Sequence, residues 1–168
     1  MFFSAEGAED SAENAVTDLK EIGFSEKDVC FGLSASGSAS YVCGALAYAK
    51  GLGALTVALS CRAGSRIAGI AEIAITPEVG PEVISGSTRM KAATAQKMVL
   101  TTVSTGVMVR LGRVRGNLMI YMKPSNQKLK NRAVRMVAGT CGVDFETAEK
   151  ALAENGFVVS KAIGALND

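Results

Sequence analysis

Apolar residues follow two rhythms along this chain. Three short runs bounded by turn residues, "DVCFGL" (28–33), "ALTVALS" (54–60) and "EIAIT" (72–76), have the character of buried strands. Around them the spacing is helical. Asp10 or Ser11 opens a helix to about Ile22, with Glu13 placed to complete a capping box on Asp10 and Gly23 to end it. "YVCGALAYAKGLG" reads as a helix of small residues stopped by Gly51 and Gly53, and "SRIAGIA" as a brief one. The longest helical segment runs from about Ser87 to Leu111 and is closed by Gly112. "GNLMIYMK" (116–123) fits either a short extended piece or a loop. Three more helices are predicted at 125–138, 144–155 and 158–166, with Asp144 as N-cap of the second and Glu146 and Thr147 in its first turn.

Strand alternating with helix predicts an α/β fold built on a parallel sheet. The expected division is an α/β domain over 1–122 and a helical module over 123–168. Doubly wound sheets usually have five or more strands, so this sheet is expected to be incomplete on its N-terminal side. An edge left open in that way invites pairing with another chain.

Composition narrows the chemistry. The 168 residues suit one domain with a sizeable core, and 48% of them are hydrophobic with no Trp. A net charge of +2, from 18 basic and 16 acidic residues, gives no reason to expect nucleic acid or an anionic membrane as partner. No apolar stretch reaches the roughly 20 residues of a spanning helix. The opening Met1-Phe2-Phe3-Ser4 lacks a signal peptide's basic region, which predicts a cytoplasmic protein. Cys30, Cys43, Cys61 and Cys141 form no C-x-x-C pair, and there is no His. The expectation is four buried, reduced thiols and no metal site. Without His, proton transfer falls to carboxylates, Lys, Cys, Tyr or water.

Two loops have the residues to hold an anion. "SASGSAS" (34–40) follows a strand and precedes a helix, the place where open α/β sheets bind ligands. Its small residues let backbone N–H groups approach, its Ser hydroxyls donate, and the helix end favours negative charge. The alternative is a plain serine-rich connector. Loop 80–91 repeats the arrangement with Ser87-Thr88 ahead of the long helix. Arg89 and Lys91 then fall in the first helical turn, where cations oppose the helix dipole unless an anion is bound; otherwise both reach solvent. "AEGAEDS" (5–11) gathers Glu6, Glu9 and Asp10, either an acidic helix start or a functional carboxylate. Lys123, Lys128, Lys130, Arg132 and Arg135 spread round a helix as a solvated face, leaving Leu129, Ala133 and Val137 for the core.

Taken in order, "AEGAEDS", "SASG" followed by "YV", "GPEVISGSTRMKAATAQKMVL", "STGVMVRLGRVRGNLM", "SNQKL" and the tail "CGVDFETAEKALAENG" resemble the bacterial N-acetylmuramic acid 6-phosphate etherases. Those are sugar isomerase (SIS) domain proteins related to the glucokinase regulatory protein. The resemblance covers almost the whole chain. It implies a three-layer αβα, flavodoxin-like SIS sheet and a cytoplasmic homodimer that needs no metal or cofactor. It also implies a lyase that cleaves the C3 lactyl ether of N-acetylmuramic acid 6-phosphate to N-acetylglucosamine 6-phosphate and D-lactate. Two glutamates share the proton transfers in that family. Glu9 matches the second of them, Ser34, Ser36 and Gly37 the first sugar-phosphate loop, and Ser87, Thr88, Arg89 and Lys91 the other; Ser38, beside Gly37, is a further substrate-binding candidate. The alternative is a non-catalytic sugar-phosphate-binding module like the regulatory protein.

The departures from the family pattern carry an expectation of their own. The family's first glutamate and its G-T-S-G-R loop precede the point where this sequence starts, which predicts little or no turnover by this chain alone. Ser36-Gly37-Ser38-Ala39-Ser40 stands where S-G-R-T-P is usual, Ala93 where Gly is usual and Tyr121 where Asp is common.

Overall fold

A computed structural model describes residues 7–122 and 124–167. Glu6 of the acidic cluster and Lys123 of the basic stretch lie outside those residues. The chain divides into two compact units, one up to Thr101 and one from Thr102 onward.

The first unit contains α1 (Ala12–Glu21), β1 (Val29–Leu33), α2 (Ser40–Gly51), β2 (Leu55–Leu59), α3 (Arg66–Ile70), β3 (Ile73–Ile75) and the start of α4 (Lys91–Arg110). The three strands form a parallel sheet in the order β1-β2-β3, with Val29 opposite Leu55 and Val57 opposite Ile73. β2 is the middle strand because it alone is apolar enough to be covered on both faces. Thr56, Val57, Ala58 and Leu59 are all buried. The one hydroxyl among them is used, since Thr56 Oγ1 accepts the Glu72 N–H at 3.0 Å. The expected α/β class and parallel sheet are therefore present, with all three strands where the apolar runs put them.

α2 packs on β1 and β2, burying Cys43, Leu46 and Ala49 against Ala54, Ala58 and Ile67. α1 lies against α2 at unusually short range. A Cβ on Gly44 would stand 2.5 Å from the Ala12 carbonyl oxygen, so only glycine permits this crossing. The start of α1 differs from the expected capping box: Ser11 is the N-cap and accepts the Asn14 N–H at 3.1 Å. Glu13 instead accepts the Ser11 hydroxyl at 3.2 Å, because Ser11 sits one residue too late for Glu13 to reach back to the cap's own N–H.

The second unit holds a small antiparallel hairpin, β4 (Val114–Arg115) with β5 (Leu118–Met119), followed by α5 (Gln127–Cys141), α6 (Phe145–Glu154) and α7 (Val159–Asn167). The segment left open between extended and loop is thus part of a hairpin. Ala133, Val137, Ala148, Leu152, Val159, Ala162 and Ile163 form its core, with Leu129 packed at the margin. Burying a side chain the size of Leu152 contributes about 1.5–3 kcal/mol. Asn126 caps α5 through the Leu129 N–H at 2.9 Å, and Asp144 caps α6 through the Thr147 N–H at 2.7 Å. That bond holds the Asp144 carboxyl below the usual carboxylate range. Among the described residues no helix is long and apolar enough to cross a membrane.

Candidate functional site

Loop 34–39 carries the chain from β1 into α2. It is pinned on both sides by backbone bonds: Ser34 N–H to Leu59 O at 3.1 Å, Cys61 N–H to Ala35 O at 3.0 Å, and Ile67 N–H to Gly37 O at 3.1 Å. Gly37 is buried with φ +71, and its N–H donates to the carbonyl and the hydroxyl of Ser34 at 3.0 and 3.1 Å. A Cβ here would lie 2.3 Å from the Ser65 Cβ, so the position is closed to any other residue on two grounds. Beneath it, Ser60 and Ser65 share a buried hydroxyl–hydroxyl bond of 2.8 Å. Ser36 and Ser38 are exposed and bonded to each other at 2.8 Å.

The helix end that this loop presents has no side-chain cap, because its N-cap is Ala39. One first-turn donor, the Tyr41 N–H, is accepted by the Glu9 carbonyl at 2.9 Å. Glu9 is therefore set beside the first turn of α2, with its own residue exposed. The Tyr41 hydroxyl in turn donates to Asp18 of α1 at 2.6 Å, which raises the Tyr41 pKa.

Loop 80–90 leads into α4 and differs from expectation at the helix start. The helix opens at Lys91 rather than near Ser87. The cause is Glu82. Its Oε1 accepts the Ala92 N–H and its Oε2 the Lys91 N–H, both at 3.0 Å. Those two donors hold the Glu82 carboxyl below the ordinary glutamate range. The positive pole of α4 is thus occupied by a carboxylate of the chain itself, and cations in the first turn need no external anion. The Lys91 ammonium, expected at the ligand, donates to the Pro81 carbonyl at 2.9 Å.

The two loops meet at one cleft of about 280 Å³. Ala35 and Ser36 line it from the first loop, and Gly80, Glu82, Ser85, Gly86, Ser87 and Thr88 from the second. Of the expected residues, Ser36, Ser87 and Thr88 share this cleft. Ser34 and Gly37 shape the loop beneath it, while Ser38, Arg89, Lys91 and Glu9 do not line it. Ala92 and Cys61 complete the wall.

Cys61 corrects the expectation of four buried thiols. It is only partly buried, as is Cys141, whereas Cys30 and Cys43 are buried. Its Sγ donates to the Ala92 carbonyl at 3.8 Å, and its pKa is pushed up, first by burial and then by the Glu82 charge. A thiol held neutral in this way is a poor nucleophile. Glu82 and Cys61 line the cleft but are not among the site residues that the sequence motifs imply. The signal for Glu82 was its place in the GPE-to-GSTRMK block; for Cys61 there was none.

Residues 13–105, more than half of the chain, match the SIS domain family. Curated relatives cover nearly all of this sequence. An N-acetylmuramic acid 6-phosphate etherase of Clostridium botulinum (strain Okra / Type B1) is 50% identical over 163 residues, 97% of this chain and 54% of that protein. The etherase of Cronobacter sakazakii (strain ATCC BAA-894) is 52% identical over 160 residues, 95% of this chain and 54% of its own. That of Clostridium beijerinckii (strain ATCC 51743 / NCIMB 8052) is 49% identical over 163 residues. The chain spans about half the length of the curated relatives it matches. With a parallel sheet, a serine loop at the head of α2 and this match, the chain belongs to the SIS-domain family.

Proposed function

We propose that this chain provides the sugar-phosphate cleft and one acid–base carboxylate of an N-acetylmuramic acid 6-phosphate etherase. The observation that carries the reading is the cleft in which Ser36 of one loop meets Ser87 and Thr88 of the other, taken with about half-identity to named etherases along almost the entire sequence. In this reading the phosphate sits on the loop at the uncapped end of α2, against Ser34, Ser36, Gly37 and Ser38. The sugar hydroxyls meet Ser87 and Thr88, with Arg89 nearby in sequence to balance charge.

The chemistry suits a site without imidazole. In the open-chain aldehyde the C2 proton is acidified by the neighbouring carbonyl. A carboxylate takes that proton as the C3–O bond breaks and lactate leaves, and water then adds across the C2–C3 double bond. Glu9, beside the first turn of α2, is the group of this chain proposed to move one of those protons. The same reading makes the protein cytoplasmic. It also makes it a homodimer or the partner of a chain that extends the sheet, which light scattering after gel filtration checks.

Titration calorimetry with N-acetylglucosamine 6-phosphate tests the proposal. Saturable binding is expected, weakened about tenfold or more when the phosphate is omitted from the sugar. Equal heats for the phosphorylated and unphosphorylated sugars would overturn it. In any preparation that releases D-lactate, Glu9→Gln is expected to cut the rate by 10²–10⁴ while leaving that binding within about threefold.

A further inference from the structure

Residues 82–91 form a loop whose two ends are fastened together. Glu82 accepts two consecutive amides at the far end, Lys91 N–H and Ala92 N–H at 3.0 Å each. Lys91 reaches back in the other direction and donates its ammonium to the Pro81 carbonyl at 2.9 Å. Within this ring the Ser87 N–H bonds the Ile84 carbonyl at 3.2 Å, and Gly86 takes φ +82, so that the chain turns Ser85 to Thr88 into the cleft wall.

Nothing apolar holds the loop in that shape. Val83 and Ile84 are each 71% exposed and Met90 is 61% exposed. A segment with so little buried surface owes its local order to its hydrogen bonds, and here the bonds that close it come from one carboxylate and one ammonium. Both groups would otherwise be candidates for chemistry: a carboxylate in a cleft for a general base, a lysine in a GSTRMK segment for a phosphate ligand. Each is already engaged by the backbone. With both oxygens accepting amides and its proton affinity lowered, Glu82 is a weak base.

We infer that Glu82 and Lys91 are positioning residues: together they close the loop at its base and hold Ser87 and Thr88 opposite Ser36, without touching the ligand. This rests on the ligand class proposed above. It assigns to Lys91 a role different from the ligand contact implied by the family motif.

The test is a double-mutant cycle read by calorimetry with N-acetylglucosamine 6-phosphate, using Glu82→Gln, Lys91→Met and the double variant, each with wild-type far-UV circular dichroism. Each single change is expected to weaken binding about tenfold. The double variant should be no weaker than the worse single, because both act through one closure. Lys91→Arg, which keeps a donor for the Pro81 carbonyl, should recover binding to within about threefold. In the ligand-free protein, the Lys91 and Ala92 amide resonances should shift and exchange faster in Glu82→Gln. Losses that multiply in the double variant, singles that bind like wild type, or amides indifferent to Glu82→Gln would each overturn the inference. If the wild-type chain bound no sugar phosphate at all, the proposed function would fall first and this inference with it. Wild-type binding combined with unaffected variants would remove this inference alone.

Discussion

The two strand-to-helix loops look alike in sequence and are opposite in electrostatics. Both carry Gly among Ser or Thr, both precede a helix, and both reach one cleft. At the head of α2 stands Ala39, which contributes no side-chain cap. At the head of α4 stands the Glu82 carboxylate, bonded to two amides. The first loop is held differently from the second: backbone bonds to Leu59 of β2, to Cys61 just after it and to Ile67 of α3 pin it around a buried glycine. The second rests on its own exposed clamp. A serine-rich turn before a helix is therefore not by itself an anion site. What decides is whether the chain has already placed a negative charge on the helix end. Here one end carries no side-chain cap and the other is filled by a carboxylate.

The comparison can be broken most severely at Gly37. Gly37→Ala puts a methyl into Ser65 and a side chain at φ +71. A loss of about 3 kcal/mol of stability and of all measurable sugar-phosphate binding is expected, checked by denaturant unfolding and calorimetry. Next comes Ala39→Asp, which makes the first helix end resemble the second. A new N-cap should raise stability by about 1 kcal/mol while phosphate affinity falls at least tenfold. Ala39→Ser, a cap without the charge, should keep affinity within about threefold. Unchanged affinity in Ala39→Asp would mean that the α2 end does not hold the anion.

Acid discriminates the two ends less drastically. The Glu82 carboxyl is depressed below its ordinary range, so its stabilising bonds are fully present above that range and are lost as pH falls through the lowered value. The Cys61 thiol, whose pKa is raised, keeps its proton throughout. As pH falls through that lowered value the Lys91 and Ala92 amides should lose protection while the Gly37 amide, bonded to Ser34, keeps its own; amide exchange reads both. The smallest effect is expected from Thr88→Val, one hydroxyl in the cleft, which should weaken binding about fivefold, in line with roughly 1 kcal/mol per hydrogen bond.

Much of this was legible in the residue pattern. The three strands, the six described helices other than α4 and the Asp144 cap follow from apolar runs, period and local capping, all of which act over a few positions. Ala133 and Val137 are buried as their spacing requires. The start of α4 escapes local pattern because its cap is not local: Glu82 lies nine residues before Lys91, beyond any capping-box spacing. The β4–β5 hairpin is not legible in the pattern, because each strand contributes only two residues, too few for a period of two to declare itself. Composition does not distinguish buried from partly buried cysteine, and the place of Cys61 on the cleft wall comes from the turn after β2. Ser36, Ser87 and Thr88, which the family motif names together, line one cleft. The motif could not reveal that Lys91 turns back to its own backbone.

The contact between Gly44 and Ala12 bears on the acidic turn more than on the core. Glu9 lies just ahead of α1, and its carbonyl is tied to Tyr41 one turn before Gly44. A missing methyl group thus sets how close α1 rides, and with it the lateral reach of a carboxylate three residues upstream. A single added carbon at Gly44 would press on Ala12 and strain the bond by which the Glu9 carbonyl holds the Tyr41 N–H at the α2 head.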